Sequence, residues 1–415
     1  MADRAAEPNQ FSAETAAIAT RVGSAEILVG VLTQDHASSV VPVAEAVAAG
    51  LTAHFPDRRS CVLLLDVGSR DGTLEAAQSW AARPPHAIRA EVLQLVGPPV
   101  SGPTFRAFLE AGQALGAAAC AYVQADLLGV TPHWMKQLLD PVLAGQADVV
   151  LPAYTRPVIE GTLTTNLLAP LARALFGKRI QQVLGGCAAL AGSHLPALLA
   201  DPVWRDNLGP QGIACWLSVE ALASGRRIVE APLGEKRAVA ARVQPDLPSI
   251  LVRTVGPLFR LMDRYAPAWL DVRGSAAVPC PGEAPEILQG SAPPEVERMV
   301  HAFRLGLKDL LPVWEQTMPE ETLGELYPLV LRAPDEFEFP ALLWARIVCD
   351  FAVAHHERRL PREHLLRALT PLYLGRVASF LREAHAAPVR NLPRLLEAVG
   401  MAFEAEAEIL RERWR

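Results

Sequence analysis

Two apolar runs in this chain end in polar clusters that carry carboxylates. The first is Leu63-Leu64-Leu65-Asp66-Val67-Gly68-Ser69-Arg70-Asp71-Gly72-Thr73, and the second is Ala121-Tyr122-Val123-Gln124-Ala125-Asp126-Leu127. A strand that ends in an acid delivers it to the carboxyl edge of an α/β sheet, where such sheets bind ligands. Asp66, with Gly68 and Asp71 in the small-residue turn behind it, suits a polar ligand at that edge; Asp-x-Gly-Ser is equally ordinary turn chemistry with Asp66 as the cap. Asp126 can coordinate a divalent cation. Gln124 beside it brings an amide oxygen but no negative charge. A lone strand-end Asp is also a simple cap, and both readings stand. The pattern predicts Asp66 and Asp126 side by side in one cleft.

These residues need a sheet to hold them. Strand patterns at 26–32, 62–65, 88–95, 121–124 and 149–152 alternate with helical spacing at 40–55, 104–119 and 132–144, the last with Thr131 as N-cap and Pro132 at its first position. The alternation predicts a mixed, mainly parallel α/β sheet flanked by helices. A helix over 249–265 leads to a Pro/Gly-rich stretch over 277–294, and helical patterns follow at 296–315, 340–356, 362–384 and 392–414. The organisation read from this is an arm over 1–25 with a helix near 12–21, an α/β domain over 26–245, a connecting helix and linker over 246–294, and a helical domain over 295–415.

Of the 415 residues, 51% are hydrophobic and 20% charged, which supports large cores. A net charge of -6 gives no long-range attraction to nucleic acid or anionic lipid. No window reaches the ~18 uninterrupted apolar residues of a membrane span, and the N-terminus lacks a basic-then-apolar leader pattern. The 6 cysteines are scattered with no Cys-x-x-Cys, which predicts free thiols in a reducing cytoplasm. No two histidines stand three or four residues apart to grip a metal, and adjacent His355 and His356 point about 100° apart on a helix. No Gly-Lys-Ser/Thr follows Gly72, so the first turn is not a P-loop. Most tryptophans read as core or interface.

A longer pattern joins these pieces. It runs through Tyr154-Thr155-Arg156, Glu160-Gly161-Thr162-Leu163-Thr164-Thr165-Asn166, Pro170 to Gly177, and Gln182-Val183-Leu184-Gly185-Gly186. It continues in Gly234-Glu235-Lys236, Val255 to Phe259, and Leu369 to Arg376. Together with Asp66 to Thr73, it resembles the bacterial glucosylglycerate and mannosylglycerate synthase group of retaining, family 2-like GT-A glycosyltransferases, over most of the chain from residue 26. The resemblance implies a GT-A fold and hexosyl transfer from a nucleotide-diphospho-sugar, with Mg²⁺ or Mn²⁺ as cofactor. It implies donor contacts at Asp66, Gly68, Asp71, Gln124, Asp126, Gly185 and Gly186, with the metal on Asp126. It places the carboxylate and hydroxyls of a small hydroxy acid on Arg156 and Thr164, and a guanidinium fork and a hydroxyl suit those groups. A surface Arg and a helix-capping Thr are the plainer reading, as is packing for the two glycines.

The chain departs from the group at several positions. Gln124 replaces the first acid of Asp-x-Asp, Cys187 an acid after the double glycine, Ala214 a carboxylate near the reacting centre, and Ala238 a metal-binding His. Val100-Ser101-Gly102-Pro103 replaces a Gly-Lys-Gly turn that contacts the donor phosphates. Asp206, Glu220 and Glu235 are candidate substitutes, and Lys236 or Arg237 can neutralise a leaving diphosphate without metal. No catalytic residue is assigned. The sequence therefore predicts a glycosyltransferase and, as its rival, a catalytically impaired relative that binds a ligand or partner. The helical C-terminal region is the expected surface of a homo-oligomer.

Overall fold

The structure, a computed structural model, describes residues 10–85, 88–95, 101–206, 208–239, 246–283, 285–290 and 295–415. Its strands are β1 (Ile27–Thr33), β2 (Ser60–Asp66), β3 (Arg89–Gln94), β4 (Ala119–Gln124), β5 (Val149–Pro157), β6 (Lys178–Arg179), β7 (Cys187–Ala191), β8 (Ile228–Glu235), β9 (Ala276–Ala277) and β10 (Ile287–Leu288). Eight form one sheet in the order β10-β5-β7-β4-β1-β2-β3, with β8 also paired to β5. β1, β2, β3 and β4 run parallel, as do β5, β8 and β10. β7 alone is antiparallel to its neighbours β4 and β5. This is the mixed, mainly parallel sheet that the alternating pattern predicts.

Strand interiors such as Val62-Leu63-Leu64-Leu65 are apolar on both faces because helices cover both. On one side Val40–His54 packs against Pro132–Leu143. On the other lie Gln10–Val22, Ser101–Ala114 and Gly209–Ala223. Thr131 has the extended backbone of an N-cap, but its side chain accepts no capping bond. From β1 the chain steps outward through β2 to β3, then crosses back to place β4 on the other side of β1. The carboxyl ends of β1 and β4 thus meet at the point where strand order reverses, which opens a crevice there. Register aligns Thr33 with Asp66 and Leu32 with Gln124.

Beyond the sheet, the helices Val296–Thr317, Glu320–Leu331, Ala341–His356, Arg362–Ala368, Thr370–Ala386 and Leu392–Trp414 pack on one another and on the α/β part. One apolar core runs continuously from Ile18 to Trp414 and includes buried Trp216, Trp269, Trp314 and Trp344. The predicted helix over 362–384 is broken at Leu369, ahead of Pro371, and Glu320–Leu331 is an additional helix. No helix among the described residues is long and apolar enough to cross a membrane.

Candidate functional site

The crevice at the carboxyl ends of β1 and β4 is a cleft of about 290 Å³. β1 and the residues after it supply Thr33, Gln34 and His36; β4 and its continuation supply Tyr122, Gln124 and Asp126. The first turns of Ser101–Ala114 and Gly209–Ala223 form the facing wall with Thr104, Gln211 and Ala214. Three buried side-chain atoms of lining residues, Thr33 Oγ1, Thr104 Oγ1 and Asp126 Oδ1, have no hydrogen-bond partner among the described residues. Buried polar groups are ordinarily paired, so this concentration marks a place built for a polar ligand.

One rim of the cleft is knitted from the loops after β1 and β2. Asp35 accepts from the Arg70 amide at 2.8 Å and donates its own amide to Ser69 Oγ at 2.8 Å. Asp71 accepts from the amides of Ala37 and Thr73, both at 3.2 Å, and the Thr73 hydroxyl accepts from the His36 amide at 2.8 Å. Gly68 and Gly72 turn the chain with φ of +64° and +90°. Asp71 is thus the tie between the two loops.

Asp66 differs from its neighbour in that predicted pair. It is fully buried, and its carboxylate accepts from the Ser69 amide at 3.1 Å and from the Ser69 hydroxyl. β1 lies between β2 and β4, so the strand ends Asp66 and Gln124 stand two strand spacings apart, roughly 10 Å, and Asp126 follows β4 by two residues. The two acids therefore do not share the cleft wall. Asp126 lines the cleft, whereas Asp66 holds the turn beneath the rim and Val67 reaches the cleft instead.

Around Asp126 the chain from β8 folds back. The Val239 amide donates to Asp126 O at 2.8 Å, Ala238 bridges antiparallel to Leu127, and the Lys236 amide donates to Thr155 O at 3.4 Å. The Lys236 ammonium lies 5.3 Å from the centre of the Tyr154 ring. Burial lowers its proton affinity, and the field of Asp126 opposes that shift. The Tyr154 hydroxyl donates to Gly185 O at 2.8 Å and stands 3.3 Å from Cys187 Sγ. Burial pushes the Cys187 thiol up to about 12. Gly185 is a packing position, since a Cβ there would meet Pro152 Cγ at 2.1 Å. Gly186 packs beside Gln124: it has φ +79°, and a Cβ would lie 3.1 Å from Gln124 Oε1.

Arg156 ends β5 half-buried, and its guanidinium makes no hydrogen bond or ion pair among the described residues. It opens into a second cavity of about 210 Å³ with Thr165, Arg173, Arg179, Gln181 and Glu397. Thr164 is buried at the first position of a π-helical turn, Thr164–Leu168, and it is Thr165 that reaches this cavity. Such turns are frequent at functional sites.

Of the departures from the family pattern, Ala214 stands on the cleft wall and Ala238 beside Asp126, while Cys187 lies buried in the sheet. Val100 falls outside the described residues, as does the Ser101 side chain. None of the three candidate substitutes is free. Asp206 pairs with Arg264, Glu220 meets His194 at 3.1 Å, and Glu235 pairs with Arg237 at 2.7 Å. A divalent cation would find one carboxylate, Asp126, and one amide oxygen, Gln124. No group of three His, Cys, Asp or Glu side chains is placed to hold a metal among the described residues. That donor set does not fit a resident ion held by the protein. Thr33, Thr104 and His36 complete the cleft without having been singled out in the sequence. The polar break Thr33-Gln34-Asp35-His36 at the end of β1 is the sequence signal for Thr33 and His36, and Thr104 has none.

No family model and no curated protein matches the chain. Among solved structures, the chain is similar to glucosyl-3-phosphoglycerate synthase from Mycobacterium tuberculosis in complex with Mn²⁺, uridine diphosphate and phosphoglyceric acid, at 20% identity and a TM-score of 0.45, over 62% of this chain and 84% of that one. It is also similar to the complex of that enzyme with Mg²⁺ and uridine diphosphate, at 19% identity and a TM-score of 0.44, over 63% and 85% of the two chains. A third similar structure is a mycobacterial protein at 21% identity and a TM-score of 0.45, over 63% and 80%.

Proposed function

We propose that the chain is a glycosyltransferase that moves a sugar from a nucleotide diphosphate to a small hydroxy acid. The observation that carries this reading is the cleft at the switch point of the sheet, lined by Thr33, Thr104 and Asp126 with their unpartnered buried atoms. Leaving such atoms bare costs about 1–3 kcal/mol each, and a polar ligand removes that cost. The nucleotide lies along the knitted rim of Gly68 and Asp71, with Asp66 holding the turn below. Gln124, Asp126 and Gly186 face the sugar and diphosphate. Arg156 takes the acceptor carboxylate, and Thr164 heads the turn that frames it.

In the transfer, the acceptor hydroxyl oxygen forms a bond to the anomeric carbon. The bond from that carbon to the diphosphate oxygen breaks, and its electron pair leaves on the diphosphate. The hydroxyl proton ends on the released diphosphate. The chain's contribution is to orient the two reactants and to stabilise the departing charge. Retention at the anomeric carbon belongs to this proposal, and NMR of the product reads it directly. A cytoplasmic setting belongs to it too, supported by six free cysteines, five of them buried. So does a homo-oligomer through the helical region, supported by exposed Tyr327 and Leu331 and tested by sedimentation velocity.

Calorimetry of the purified chain with UDP- and GDP-sugars tests the core of the reading, followed by product analysis with glycerate-type acids. Micromolar binding of one donor with turnover is expected, and Asp126→Ala should abolish whatever part of that binding depends on a divalent cation. Binding without turnover supports a second reading, a ligand-binding relative with impaired chemistry. That reading is favoured by the lone carboxylate among the lining residues. If no nucleotide sugar binds, the transferase and the nucleotide-binding relative both fail, and a partner-binding scaffold is what is left.

A further inference from the structure

We propose that the Lys236 ammonium stands in for a divalent cation at the donor's diphosphate, so that the nucleotide binds without metal. This rests on the reading of the cleft given above. Lys236 follows β8 where the chain is tied to Thr155 on one side and, through Ala238 and Val239, to Leu127 and Asp126 on the other. These ties hold Lys236 between Thr155, next to Arg156 at the end of β5, and the Asp126 segment that lines the cleft, and so between the donor and acceptor halves of the site as read above. That is where a departing diphosphate accumulates negative charge.

Two features separate this lysine from an ordinary surface cation. Its position over the Tyr154 ring restricts the side chain, and the Tyr154 hydroxyl is itself anchored to Gly185 O. Nζ has no hydrogen bond or ion pair among the described residues, although the residue is only half-exposed. An ammonium with three donors and no acceptor in a partly buried place is completed by an anion. Arg237, the adjacent cation, is instead closed on Glu235 at 2.7 Å and exposed.

The metal donors point the same way. Asp126 is the one carboxylate on the cleft wall, Ala238 offers no ligand, and Cys187 is a buried thiol in the sheet. A diphosphate approaching Asp126 meets like charge, and the neighbouring ammonium offsets it. Lysine serves phosphates well as a point charge.

Calorimetry of the intact chain with UDP and GDP, once in EDTA and once in Mn²⁺, tests the proposal. The expected result is an affinity in EDTA within about 3-fold of that in Mn²⁺. Lys236→Gln should lose about 10- to 100-fold in EDTA, the worth of one charge-assisted contact. Lys236→Arg should retain most of the binding, and an unchanged melting temperature in both variants excludes a folding effect. Binding by the wild type in Mn²⁺ alone, or wild-type affinity in Lys236→Gln, overturns the proposal while leaving nucleotide binding in place. Absence of binding in both buffers overturns it together with the functional reading beneath it.

Discussion

Asp66 has both carboxylate oxygens engaged by Ser69 and no exposed surface, whereas Asp126 keeps a buried oxygen unpartnered at the cleft. Two strand-end acids of the same type therefore do different work. Asp66→Ala removes the buried acceptor of the Ser69 amide and hydroxyl, so it should cost about 1–3 kcal/mol in urea denaturation. A cost within error of zero would show that the turn does not depend on it. Arg156 is the reverse case, a guanidinium with no hydrogen bond or ion pair among the described residues and only the field of Glu160 beside it. Under the proposed function, Arg156→Met should raise the acceptor KM about 10- to 100-fold, since hydrogen bonds to charged groups contribute about 1.5–3 kcal/mol. The donor KM and the melting temperature should hardly move; a donor-side effect of the same size would place Arg156 with the nucleotide instead. Residue type and spacing made all these side chains visible in the sequence. What lay hidden was which of them the fold had already satisfied, because Ser69 consumes Asp66 through a local turn while nothing local consumes Asp126 or Arg156.

At the scale of elements, β8 carries an unusual passenger. Glu230 is 4% exposed and accepts from the Gln181 amide. Burial raises its carboxyl to about 7. The folded state thus holds a proton that the unfolded chain releases at its ordinary value, about 4.3. Glu230 contributes its full stability below that value and loses it as pH rises from about 4.3 to 7, by up to about 3 kcal/mol. Glu230→Gln keeps an acceptor oxygen without the ionisation. It should match the wild type in denaturation near pH 4 and exceed it by that margin at pH 8, and equal stabilities at pH 8 would refute the assignment. The strands that end in acids were legible because Leu63-Leu64-Leu65 and Tyr122-Val123 are strong apolar runs with abrupt polar ends. β7 was not. Cys187-Ala188-Ala189-Leu190-Ala191 is rich in alanine, a helix former, and it becomes a strand only because β4 and β5 flank it. The π-helical turn at Thr164 likewise has no local signature, since its register is set by the helices packed against it.

At the scale of the molecule, the helical region is built into the site's support. The Tyr373 hydroxyl meets Thr162 Oγ1 at 2.7 Å, and Trp344 Nε1 donates to Asn166 O at 2.5 Å, so two C-terminal helices grip the loop that carries Thr164. The last helix, Leu392–Trp414, docks on Ala169–Phe176 through Arg173. Its guanidinium donates twice to Glu397, at 2.7 and 2.8 Å, and once to Glu404 at 2.7 Å. Arg411 adds a bond to Ala174 O at 3.0 Å. Arg173 is buried, but its carboxylate partners are partly exposed, which lowers the value of the contact below that of a fully buried pair. Arg173→Met keeps most of the apolar stem and removes the fork. It should therefore cost about 2–3 kcal/mol of stability, and amide hydrogen exchange should rise in both 169–176 and 392–414. The grip on the acceptor loop makes a further demand. If the helical region positions that loop, Tyr373→Phe should raise the acceptor KM while leaving nucleotide affinity unchanged, because Thr162 loses its anchor and the donor cleft does not. A variant with faster exchange confined to 392–414 and an unaltered acceptor KM would instead show two regions that share a core without sharing a task.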